Sequence, residues 1–282
     1  MSGADWRLQP DAVSDPRRQV LRASWFKLAD TNPGAVTIRF LLSQPSDEPI
    51  DPELLDEIAE FNDILVLPVG AGTRKGYSGS GPSNILERVR AFFRWAGRTC
   101  QFRYVLKTDD DCYVAVDQLL RRVRADEYPA KQLYYGRFLA GMAGRNNQGK
   151  PDADNYQNHK DFSTYAGAGY MITPDVVRYL GNPGLPVMFH RVEDRGVGIM
   201  LDGYNVTYLK GEREFQPWGQ CFENSLWIHH FQKEPALMLR RYQRAVEGKS
   251  ICGEVRCFPP VFPPVFPGFL VYGRADKKAP RI

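Results

Sequence analysis

Three consecutive aspartates, Asp109 to Asp111, close a short apolar run, Phe102 to Leu106, in the stretch QFRYVLKTDDDCYV. An apolar run of that length, bounded by charge, fits a central strand of a sheet covered on both faces. Three adjacent carboxylates repel one another, so either water solvates them fully or a cation sits among them. Aspartate oxygens are hard ligands, suited to Mg2+ or Mn2+, and such metals are commonly shared with substrate phosphates. Open α/β sheets bind ligands beyond the carboxyl ends of their strands, where this triplet would lie. The alternative is an acidic turn on the surface.

The flanking segments alternate in period. Asp15 to Ala29 reads as one helix, with Asp15 as cap, Pro16 in the first turn and Val20, Leu21, Trp25 and Leu28 as an apolar stripe. Asn32-Pro33-Gly34 ends it as a turn. Val36 to Ser43 reads as a strand, Pro52 to Glu60 as a helix and Asp63 to Val69 as the next strand. This order predicts an α/β sheet with crossover helices. Further helices are expected over 83–98, 174–180 and 234–246, and further strands over 170–173, 205–210 and 226–231. Gly70 to Gly81 lacks the spacing of a phosphate loop and reads as a mobile loop near a site.

Composition removes several classes of function. A net charge of +4 with no Lys/Arg-rich block does not suggest nucleic-acid binding. No stretch has the length and apolar character of a signal peptide or membrane span, so a soluble chain or a fragment lacking its anchor is expected. Five cysteines without a CxxC pair argue against a zinc cluster. Cys252 and Cys257 are near enough in sequence to pair in an oxidising compartment, and Asn205-Val206-Thr207 is a glycosylation sequon.

YVLKTDDDCYV resembles the signature of the β-1,3-glycosyltransferases grouped with the galactosyl- and N-acetylglucosaminyltransferases, glycosyltransferase family 31. RRQVLRASW (17–25) resembles that family's RRxxIRxTW, FSTYAGAGYMIT (162–173) its block ending GGGYVLS, and RVEDRGVGIML (191–201) its EDVxxG block. The resemblance runs from about Arg17 to Met238. It implies a GT-A-like α/β fold: a mostly parallel twisted sheet with helices on both faces and a DxD-type metal site at a strand end. Residues 1–252 would form one domain, with a nucleotide-sugar half at about 15–125 and an acceptor half at about 126–252. A Pro/Phe-rich tail follows at 253–282.

The implied reaction is inverting, metal-dependent transfer of a hexose or N-acetylhexosamine, galactose first among them. The donor would be a UDP-sugar, the acceptor a glycan, glycoprotein or glycolipid, and the product a β-1,3 linkage. By the family's pattern Asp111 is the direct ligand of Mn2+ or Mg2+, joined by Asp109 and by His229 in preference to His230. Asp109, Asp110, Lys107, Arg22, Arg88, Gly167 and Gly169 fall on the nucleotide-sugar side. Lys107 is expected to brace the strand end, since a lysine beside three carboxylates has an obvious pairing role. Asp194 is expected as the general base that takes the acceptor's proton, with Glu193 supporting it. Read without the family, Glu193-Asp194 is equally a catalytic pair or an acidic helix start placed well for the helix dipole. The family works in the Golgi lumen.

The sequence departs from the pattern at Arg195 and Gly196, in the stretched segment 70–83, at Arg88 where the family carries lysine, and in the tail FPPVFPPVFPGF (258–269), which reads as extended and docked through its phenylalanines. These departures leave open a catalytically inactive relative that binds nucleotide-sugar or glycan. A glycoside hydrolase and a phosphatase are the remaining rivals.

Overall fold

The computed structural model describes residues 16–32, 34–43, 49–69, 85–140, 164–185, 193–216, 221–222, 225–228 and 235–253. The expected single first helix is two: α1 (Pro16–Ala23) and α2 (Phe26–Asp30). Between them Ser24 Oγ donates to the Leu21 carbonyl at 3.2 Å, and the buried Trp25 donates its indole N–H to the Cys112 carbonyl at 3.0 Å. Anchoring Trp25 beneath the acidic stretch breaks the helical path, and Phe26 then stacks on Phe40 at 5.0 Å.

β1 (Phe40–Ser43), α3 (Pro52–Phe61) and β2 (Ile64–Leu67) make a crossover unit with parallel strands, in register from Phe40 opposite Ile64 to Ser43 opposite Leu67. Asp51 caps α3 by accepting from the Glu53 N–H at 3.0 Å, and Asn62 ends it in a left-handed conformation. α4 (Ile85–Thr99) buries Leu86, Val89, Phe93 and Ala96, the helical spacing that its sequence predicts.

The main sheet has the order β3 (Val105–Lys107), β6 (Thr164–Ile172), β5 (Leu133–Ala140), β7 (Thr207–Lys210). Strand alternation divides its side chains between two cores. Leu133, Tyr135 and Met171 join residues of α1, α2, α5 (Val116–Arg124) and α8 (Pro235–Val246), including Leu21, Phe26, Leu120 and Met238. Tyr134, Tyr170 and Ile172 join α4, α6 (Pro174–Leu180) and α7 (Glu193–Met200) through Phe93, Val177 and Val197. Helices thus cover both faces. A smaller sheet, β4 (Tyr113–Val114), β9 (Trp227–Ile228) and β8 (Phe215–Gln216), continues from the aspartates.

Three expectations need correction. The sheets are mixed rather than mostly parallel: β3–β6, β5–β6 and β4–β9 are antiparallel, and β1–β2, β5–β7 and β8–β9 parallel. The alternation of strand and helix is local to the first half, and a strand's own residues do not encode the direction of its neighbours. β6 begins at Thr164, six residues before the expected start, because its glycines are taken into the ladder instead of forming a turn. Cys252 pairs with Cys221, not with Cys257, which lies outside the described residues. Among the described residues no helix is long and apolar enough to cross a membrane.

Candidate active site

β3 ends at Lys107, and the acidic triplet follows directly. Lys107 Nζ donates to Asp109 Oδ1 at 2.6 Å and lies 2.8 Å from Glu193 Oε2. Only 11% of the lysine side chain and 5% of the Glu193 side chain are exposed. Burial disfavours the ammonium, but the charges and hydrogen bonds of Asp109 and Glu193 outweigh it and hold the Lys107 pKa well above the ordinary lysine value. The second oxygen of Glu193 accepts from the Tyr170 hydroxyl at 2.7 Å. Glu193 and Asp194 open α7, and Asp194 Oδ1 accepts the Arg195 N–H at 2.8 Å. One buried lysine therefore ties the acidic strand end to the helix that carries the second acidic pair.

Gly196, where the sequence departs from the family, lets α7 lie close to α4, since a Cβ there would strike the Leu86 side chain. Asp110 faces outward and accepts two hydrogen bonds from Arg17 Nη1, both at 3.1 Å. Burial raises its carboxyl pKa, Arg17 opposes that rise, and the charges of Asp111 and Asp109 add to it. Cys112 is fully buried between Asp111 and β4, and burial pushes its thiol well up.

The two arginines expected on the nucleotide-sugar side lie at opposite ends of the crossover unit. Arg88 Nε donates to the Ser43 hydroxyl at 2.7 Å, which puts it at the carboxyl end of β1. Burial lowers its pKa, and the charge of Asp110 works the other way. Arg22 instead bonds Asp63 through Nε and Nη2, both at 2.7 Å, and Glu57 through Nη1 at 2.7 Å. Asp63 precedes β2 and its carbonyl accepts the Phe40 N–H, so Arg22 sits at the amino end of both strands. α1 runs from Arg17 beside Asp110 to this opposite end, and Arg22 takes a bracing position there.

Gly167 is partly buried in β6. At Gly169 a Cβ would overlap the Trp227 ring, so the close approach expected there is made by the chain's own indole. Trp227 Nε1 also donates to Thr108 Oγ1 at 2.6 Å. Neither Trp227 nor Thr108 stands out in the sequence. The only signal was a tryptophan in an apolar run, LWIHHF, whose histidines draw attention first. Ile228 pairs with Tyr113, two residues after Asp111, which brings the end of β9 to the acidic site. His229, its neighbour His230, segment 70–83 and the 258–269 tail lie outside the described residues.

Among the described residues no three His, Cys, Asp or Glu side chains converge into a ready-made cation cage. The donor set still suits a hard divalent cation. Mg2+ is commonly held by one or two carboxylates plus substrate phosphates, and Asp109, Asp110 and Asp111 set three carboxylates side by side, whose charges repel. A cation among Asp109, Asp110 and Asp111 would relieve that repulsion.

The family model described as galactosyltransferase matches residues 16–212, well over half of the chain. The chain is 27% identical to mouse beta-1,3-galactosyltransferase 6 over 250 residues, covering 86% of this chain and 73% of that protein. It is 27% identical over 163 residues to UDP-GalNAc:beta-1,3-N-acetylgalactosaminyltransferase 2 of Xenopus laevis, covering 58% of this chain and 32% of that protein. Hydroxyproline O-galactosyltransferase of Arabidopsis thaliana matches at 26% over 250 residues, 85% of this chain and 34% of its own length. The chain thus spans well under half of the first relatives it matches. The chain belongs to the galactosyltransferase family, the β-1,3-glycosyltransferases of glycosyltransferase family 31.

Proposed function

We propose that this chain is an inverting, metal-dependent transferase that moves galactose, or another hexose or N-acetylhexosamine, from a UDP-sugar to a glycan, glycoprotein or glycolipid in β-1,3 linkage. The observation that carries the reading is the Lys107 bridge, which makes one site of the acidic strand end and the acidic start of α7. Asp111, Asp109 and His229 would hold Mn2+ or Mg2+. The cation would supply charge stabilisation for the departing pyrophosphate. Asp110, Arg88 and Gly167 line the nucleotide-sugar side in this reading, Gly169 instead makes room for the Trp227 ring, and Arg22 supports that side from the far end of the strands.

The acceptor hydroxyl oxygen bonds to the anomeric carbon as the bond from that carbon to the phosphate oxygen breaks. The electron pair leaves with UDP, and the hydroxyl proton passes to the Asp194 carboxylate. A single displacement inverts an α-linked donor to a β-product. Glu193, gripped by Lys107 and Tyr170, fixes the start of α7 and so the place of Asp194. Residues 1–252 act as one catalytic domain in this account.

Work in the Golgi lumen, as the family implies, is supported by the Cys221–Cys252 disulfide, which needs an oxidising compartment. The test is incubation with a panel of UDP-sugars and β-linked acceptors, with Mn2+ or with EDTA, followed by NMR of the product anomer. A β-linked product from one donor, absent with EDTA, is expected. Binding of a UDP-sugar with neither transfer nor hydrolysis would replace this reading with that of a binding-only relative.

A further inference from the structure

Trp227 is 1% exposed and belongs to β9, yet its ring reaches out of the small sheet to two other places. It lies over Gly169 of β6, in the space that a Cβ would take, and its N–H donates to Thr108 Oγ1 at 2.6 Å. Thr108 is the residue between β3 and the first aspartate. Its hydroxyl in turn donates to the Asp109 carbonyl at 3.4 Å. A hydrogen-bonded path thus runs from the indole through one hydroxyl to the backbone of the acidic triplet. The Phe215 ring, 5.7 Å away between centroids, backs the indole from the same sheet.

We propose that Trp227 is a positioning residue, acting through Thr108, that fixes the turn carrying Asp109 to Asp111 for a divalent cation and the diphosphate of a nucleotide. The inference rests on the function proposed above and adds to it the device that sets the acidic turn. If Trp227 served packing alone, the Thr108 hydroxyl would be dispensable. A hydroxyl that accepts from the indole at 2.6 Å and lies 3.4 Å from the Asp109 carbonyl ties the residue before the first carboxylate to Trp227. Partners that orient metal ligands in this way change metal affinity or activity about ten- to a hundredfold when removed.

The test is calorimetric titration of the full chain with UDP, in MnCl2 and separately in EDTA, alongside a thermal melt of each variant. Thr108→Val keeps the side-chain shape and removes the hydroxyl, Trp227→Phe keeps a ring and removes the N–H, and Thr108→Ser keeps the hydroxyl. Expected is a loss of about tenfold or more in Mn2+-dependent UDP affinity for Thr108→Val and Trp227→Phe. Thr108→Ser should bind as wild type does, and the double variant should bind no worse than the weaker single one. Should Trp227→Phe fail to fold, Thr108→Val against Thr108→Ser decides. A folded Thr108→Val that binds UDP in Mn2+ as tightly as wild type overturns the inference, as does an equal loss in EDTA. Wild type that binds no UDP with Mn2+ overturns the function itself and takes this inference with it.

Discussion

Lys107 is the residue on which the site turns. It is buried, an environment that disfavours an ammonium, and it remains charged because two carboxylates face it. Its folded-state pKa is raised, so the stability it contributes is fully present below the ordinary lysine value of 10.5 and is lost only as pH rises through a still higher value. Lys107→Met should therefore destabilise the protein by about 3 kcal/mol in urea melts from neutral pH up to that limit, because it strands the buried Glu193 carboxylate without its cation. It should also abolish transfer. An unchanged urea midpoint would mean the bridge is not part of the folded protein. Gly169→Ala should cost about 1–3 kcal/mol by driving a Cβ into the Trp227 ring. A melt indistinguishable from wild type would show that the indole does not sit there. The acidic residues and Lys107 were legible in the sequence because charge against an apolar run is conspicuous. Trp227 and Thr108 were not, since nothing in one segment's residues says which distant segment they meet.

Among the elements, α1 and α3 are joined by a buried ion-pair network. Arg18 and Arg22 both bond Glu57, and Arg22 also bonds Asp63, with the Arg22 guanidinium 3.9 Å above the Phe61 ring. Burial alone would raise the Glu57 carboxyl, but the hydrogen bonds and charges of the two arginines outweigh it and hold its pKa below the ordinary 4.5. A depressed carboxylate contributes stability in full above its unfolded pKa and loses it as pH falls through the folded one. Glu57→Gln should thus be less stable than wild type by about 3 kcal/mol at neutral pH, and the gap should close as pH falls below 4.5. A gap unaffected by acid would mean that packing, not charge, is what Glu57 supplies. The Cys221–Cys252 disulfide ties the segment that follows α8 to the segment between β8 and β9. Reduction, or Cys252→Ser, should lower stability by about 3 kcal/mol in denaturant. Helices such as α3 and α4 were legible because caps and apolar stripes are local signals. The break between α1 and α2 was not, because its cause is the bond from Trp25 to Cys112, on a far part of the chain.

At the scale of the whole molecule, the sequence announced an α/β protein with helices on both faces, and two cores on either side of one sheet bear that out. The mostly parallel sheet expected from it is instead mixed. The β1–α3–β2 unit follows from the alternation of strand and helix, but β6 lies antiparallel between β3 and β5, a placement decided by long-range pairing. The same long-range pairing brings the four family blocks together. α1 delivers Arg17 to Asp110, β3 delivers Lys107, β6 delivers Tyr170, and α7 delivers Glu193 and Asp194. The proposed function therefore rests on a meeting of segments far apart in sequence, each carrying one part of the candidate site. The most direct test of that claim compares wild type, Asp111→Asn and Asp194→Asn in two assays on the same UDP-sugar: Mn2+-dependent UDP binding and transfer to acceptor. Asp111→Asn is expected to lose both, whereas Asp194→Asn should bind UDP as wild type does and lose transfer by about a hundredfold or more. Full transfer by Asp194→Asn, or full Mn2+-dependent binding by Asp111→Asn, would contradict it.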